Sequence, residues 1–143
     1  MRIEPWLLEL ATGSEASTAE ESIEAGILLP QGEALAFRHD LTRQTVLASI
    51  SPARKPVLHR LVLDALKSSP LTRTDLSRLA YHAEAGGDPL AVLEYAPGAA
   101  NGAASAGAHR EAASLFGLAL RYADELQPVE QAMLLQDYAR ECN

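Results

Sequence analysis

The amino-acid sequence predicts a mainly α-helical protein with one small β-hairpin. Apolar residues make up 48% of it but aromatics only 5%, so the core must be filled largely by Leu and Ala, which lead the helix scale. Apolar positions recur at steps of three and four along most of the chain. Period-two alternation is confined to a short stretch near residues 27–38.

In chain order, Glu4 to Ala11 forms a short apolar helix candidate, and Thr18 followed by Glu21 has the spacing of a capping box that starts a second helix, stopped by Gly26. Ile27, Leu28 and Leu29 then run into Pro30, Gln31 and Gly32, after which Leu35 and Phe37 alternate with Ala36 and Arg38. Two short strands around a glycine-containing turn give the hairpin. From Asp40 to about Ser51, Leu41, Val46, Leu47 and Ile50 suit a helix.

Ser51 and Pro52 have the character of an N-cap and first helical position. Beyond them Val57, Leu58, Leu61, Val62, Ala65 and Leu66 make the strongest amphipathic stripe in the chain. Pro56 lacks an N–H, so the regular helix starts either near Pro52 or at Pro56.

After a loop from Ser68 to Arg73, the pattern changes to helical hairpins. Leu76, Leu79, Ala80 and Ala83 mark one helix, ended by Gly86 and Gly87; Asp88 and Pro89 cap the next, which carries Leu90, Leu93 and Ala96. Pro97 and Gly98 are expected to kink or break it, because the proline removes the bond to Leu93. An alanine-rich continuation ends at Gly107. A third helix from Ala108 to about Leu126 buries Ala112, Leu115, Phe116, Ala119, Tyr122 and Ala123. A fourth begins at Pro128, with Val129, Ala132, Met133, Leu135 and Ala139 on its apolar side and Glu130, Gln131 and Asp137 exposed.

These patterns divide the chain at residues 1–67 and 68–143. Its 143 residues suffice for one ordinary domain or two small units, not for an ATPase with accessories. The one cysteine, Cys142, has no partner for an internal disulfide, which suggests a reducing, cytoplasmic setting. Glu4 and Glu9 interrupt what a secretion signal would keep apolar. No run approaches the roughly 20 apolar residues that span a bilayer, so a soluble protein without a membrane partner is expected.

The formal net charge of -7 opposes non-specific nucleic-acid binding. Its distribution is uneven. Up to Ala36 one base, Arg2, faces seven glutamates; from Phe37 to Arg73 seven bases face two acids; the remainder has four bases against ten acids. Packing between acidic flanks and a basic middle, or plain solvation, accounts for this without a ligand.

Chemistry-bearing spacings are scarce. His59, His82 and His109 form no His-x-x-x-His pair, and one cysteine cannot make a Cys-x-x-Cys half-site, so no metal site is expected. Glu20 with Glu21 and Asp124 with Glu125 lie in hydrophilic runs and read as solvated faces, not paired catalytic carboxylates. Neither a G-x-S-x-G elbow nor a G-x-x-x-x-G-K-[ST] phosphate loop occurs. The expectation is a chain that is not an enzyme and holds no cofactor by itself.

Gly107-Ala108-His109-Arg110-Glu111-Ala112-Ala113, with Phe116, Ala119 and Leu120, resembles the second half of a tetratricopeptide repeat, although Ala96 stands where the first helix usually carries an aromatic and the closing proline, Pro128, comes late. A longer set is Phe37-Arg38-His39-Asp40-Leu41-Thr42-Arg43, Ser51-Pro52-Ala53-Arg54, Leu58-His59-Arg60 and Leu79-Ala80-Tyr81-His82-Ala83-Glu84-Ala85-Gly86-Gly87-Asp88. From about Pro5 to Leu120 the chain resembles the region after the ATPase core of LuxR-type transcriptional regulators, within the signal-transducing ATPases. The resemblance implies a winged-helix-like front, tetratricopeptide-like helices behind it, and a non-catalytic regulatory role. It further implies that His39, with Arg43 one helical turn on, meets a nucleotide phosphate presented by a neighbouring ATPase domain; both residues otherwise read as a solvated helix start. Implied partners are the neighbouring domains of such a regulator, or a second copy. Two other readings remain: a free-standing helical-repeat adaptor holding a protein or peptide, and a winged-helix DNA-binding protein using Arg43, Arg54, Lys55 and Arg60.

Overall fold

The structure, a computed structural model, describes residues 3–13, 17–69 and 75–142. Its contacts gather the chain into two units, Met1–Ser68 and Ser69–Asn143. Among the described residues there are eight α-helices and one two-stranded antiparallel sheet, the mainly helical class with a hairpin that the sequence predicts.

In the first unit, α1 (Pro5–Thr12) opens with a proline at its first position and closes on Gly13, whose N–H reaches the Glu9 carbonyl at 2.9 Å. The second helix, α2, spans Ser17–Glu24. Thr18 therefore lies inside it, and the capping-box expectation rests on a side chain outside the described residues. Gly26, at φ 70°, reverses the chain while its N–H bonds Ile23 and that of Ile27 bonds Ser22. Strands β1 (Leu28–Gln31) and β2 (Ala34–Phe37) pair with Leu28 opposite Phe37 and Pro30 opposite Leu35. Ile3 pairs with Leu35 from the other side, with N···O distances of 2.8 and 2.7 Å. That bridge puts β2 in the middle and fixes its register, leaving Leu28 and Leu35 buried.

Helix α3 (Asp40–Ser49) follows at the expected place but buries no residue. Helix α4 (Arg54–Ser68) starts between the two positions foreseen: the Ser51 carbonyl accepts the N–H groups of Arg54 and Lys55, and Pro56 falls in the first turn, where its missing N–H costs nothing. Its buried face is Leu63, Ala65 and Leu66, while Val57 and Leu61 of the expected stripe point outward. Helix α1 packs on α4, and Leu7, Leu63 and Leu66 belong to the core of this unit.

The second unit holds α5 (Leu76–Gly86), α6 (Pro89–Ser105), α7 (His109–Leu120) and α8 (Pro128–Glu141), with α6 packed on α5, α7 on α6 and α8 on α7. Of the preceding expected loop, residues 70–73 lie outside the described residues. Gly87 and Gly107 repeat the Gly26 turn: the N–H of Asp88 reaches Ala83 and that of Ala108 reaches Ala103. Asp88 then caps α6 by accepting the Ala91 N–H at 3.0 Å. Such short turns leave successive helices antiparallel.

One expectation fails here and another is narrowed: of the kink or break foreseen at Pro97, the break does not occur. Helix α6 runs unbroken through Pro97 and Gly98. Ala96, Ala99 and Ala100 are buried around them, and a Cβ on Gly98 would lie 2.8 Å from Leu76 Cδ1. Packing against α5 thus outweighs the one bond the proline removes, and the glycine permits the approach. Helix α7 stops at Leu120, short of Leu126. A 3-10 turn, Ala123–Glu125, leads to the extended residues Leu126 and Gln127, as the backbone before Pro128 prefers.

The register of α8 is also turned over. Leu134 is 6% exposed, whereas Val129 is 72%, Met133 62% and Leu135 54% exposed. Gln131 and Asp137, expected in solvent, are half-buried. Apolar residues occupy more than half of this helix's circumference, and the inner side is the one whose Tyr138 ring meets the open backbone at Gly117, 3.6 Å from where a Cβ would stand.

Candidate functional site

His39 and Arg43 flank the first turn of α3. His39 is its N-cap, in extended backbone (φ -131°, ψ 137°), with no capping bond from its side chain. Its carbonyl accepts the Arg43 N–H at 3.2 Å, so the two residues stand one turn apart, as their spacing predicts. Between them, however, lies Asp40. Arg43 Nε donates to Asp40 Oδ1 at 2.7 Å and Gln44 Nε2 donates to Oδ2 at 2.6 Å. The Arg43 guanidinium, then the Gln44 amide, hold the Asp40 carboxyl below its usual range. The Arg43 Nε is thus already engaged by a carboxylate beside the position the resemblance gives to a phosphate.

The other histidines are dispersed. Burial lowers the pKa of His59 on α4. His82 on α5 packs edge-on against Tyr81, ring centres 5.1 Å apart. His109 Nδ1, at the start of α7, lies 2.7 Å from Glu141 Oε2 at the end of α8, a bond that fastens one helix end to the other. Among the described residues no three His, Cys, Asp or Glu side chains converge as metal ligands. An open hollow bounded by Gly107, Ala108, His109, Arg110, Glu111 and Ser114 lies at the α7 N-terminus. Cys142 is exposed, and its thiol beside the Tyr138 hydroxyl raises the tyrosine's pKa.

What the structure adds is uncovered apolar side chains. Leu41, Val46 and Leu47 on α3, Val57 and Leu61 on α4, and Val129, Met133 and Leu135 on α8 are all exposed. Periodicity assigns most of them to the interior, since it identifies a stripe but not whether a neighbour covers it. Arg54, Lys55 and Arg60 are exposed on α4. The helix before the hairpin, α2, carries Glu20, Glu21 and Glu24 and no base.

No protein-family model, curated protein or solved structure matches the chain. No helix among the described residues is long and apolar enough to cross a membrane.

Proposed function

We propose that the chain is a non-catalytic regulatory module that works by holding protein surfaces, akin to the segment between the ATPase and DNA-binding parts of a LuxR-type transcriptional regulator. The observation that carries this reading is that α8 seats Leu134 on its inner side and leaves Val129 and Met133, one helical turn apart, exposed on another. A stacked helix whose outer side is that apolar is suited to receive another helix. In the same reading His39 is the residue that meets nucleotide phosphate when an ATPase domain is alongside, with Arg43 contributing once it leaves Asp40. A cytoplasmic location belongs to this proposal too.

In-cell cross-linking through the two lysines, Lys55 and Lys67, followed by mass spectrometry, tests it. The expected product joins this chain to a polypeptide segment bearing a G-x-x-x-x-G-K-[ST] loop. Recovery of the chain with no protein cross-link would sink the proposal; links only to proteins without such a loop would favour the free-standing adaptor, which the same α8 surface also suits.

A further inference from the structure

We propose that the outer side of α4 in the first unit is the docking site for an acidic amphipathic helix of a partner protein. This deepens the interaction-module reading and rests on it. Helix α3 has ten residues, none of them buried, and helices shorter than about 12–15 residues are marginal in water without tertiary packing. Its described packing is on β2. Leu41, Val46 and Leu47 are exposed on separate sides of α3, whereas α4, after the short turn Ser51–Ala53, presents Val57 and Leu61 together, one helical turn apart and both directed away from Leu63 and Leu66. A complementary surface for such a row is a helix with apolar residues at three- and four-residue steps.

Charge specifies the rest of the occupant. Arg54, one turn before Val57, and Lys55 are exposed and have no ion pair among the described residues, and Arg60 lies on the outward side of the same helix. Acidic flanks on the incoming helix would complement them. An extended polyanion fits less well. The first unit as a whole has seven bases against nine acids, and α2 presents Glu20, Glu21 and Glu24. A short acidic helix can engage the bases locally, whereas duplex DNA or an anionic membrane would bring its charge to the acids as well.

Fluorescein-labelled synthetic peptides titrated into the full chain, followed by anisotropy and by backbone amide NMR, decide the matter. Three are needed: an amphipathic helix with Leu at i, i+3, i+4 and i+7 and Glu on its flanks, the same peptide with Lys for every Glu, and an acidic scramble. The first should bind saturably, weaken as salt is raised, and shift amides of α4. Binding should fall at least tenfold in Arg54→Glu/Lys55→Glu and in Leu61→Asp, whose circular dichroism should match the parent because all three sites are exposed. Equal binding of the Lys peptide, indifference to these substitutions, or no saturable binding overturns the proposal. So does tighter binding of duplex DNA or phosphatidylserine vesicles at the same salt. Amide shifts confined to α8 sink this placement while leaving the module reading intact; a silent cross-linking experiment sinks the module reading whatever the peptides do.

Discussion

Two glycines in one helix separate propensity from packing. Gly98 and Gly102 both lie inside α6, but a Cβ at Gly102 would meet nothing within 4 Å, whereas one at Gly98 would press on Leu76 Cδ1 at 2.8 Å. Gly102→Ala should therefore stabilise the second unit by about 0.5–1 kcal/mol, the ordinary gain from restricting the unfolded chain and favouring the helix. Gly98→Ala has the same propensity gain, offset by the shift that Leu76 must make. Urea denaturation of the two variants should place the Gly98→Ala midpoint clearly below that of Gly102→Ala. Equal gains would mean that α5 does not press on α6 at this point. The break that the Pro-Gly pair signals is absent for this reason: the breaker signal is local, and the α5 side chain that accounts for the glycine lies more than twenty positions away.

At the scale of elements, what is legible follows from how much of each signal is local. The glycine turns at Gly26, Gly87 and Gly107, the Asp88 cap and the hairpin are written in adjacent residues, and the structure has each of them. The Ile3–Leu35 bridge is not legible, since it joins two distant residues without any pattern of their own. Nor is the rotation of α8, where two apolar sides compete and only the neighbour α7 decides. Leu134→Ala should cost about 2–5 kcal/mol as a core truncation, while Leu135→Ala, at an exposed position, should stay within about 0.5 kcal/mol. Thermal unfolding of the pair checks the register, and the reverse order of costs would restore the side expected from sequence. His39 and Arg43 were legible as a spaced pair on α3. The Asp40 carboxylate that engages Arg43 was visible in sequence too, but its rotamer was not, and that rotamer separates a waiting cation from a satisfied one.

For the whole molecule, the question that charge decides is whether the basic middle binds nucleic acid. The cations on which that reading depends are Arg43, Arg54, Lys55 and Arg60. Arg43 is paired with Asp40, and the other three share their unit with nine acids. The helix that precedes the hairpin carries three glutamates and no base. A protein gains duplex affinity by releasing counterions from phosphates, and each neutralised phosphate steepens the fall of affinity with salt. The most permissive condition is therefore low salt, roughly 50 mM, where even weak non-specific binding shows. A mobility-shift titration there with a random-sequence duplex should leave the DNA unretarded at micromolar protein. A retarded species that dissolves as salt is raised would mean that the basic middle outweighs the acids of its unit, and the DNA-binding reading would then displace the protein-interaction one.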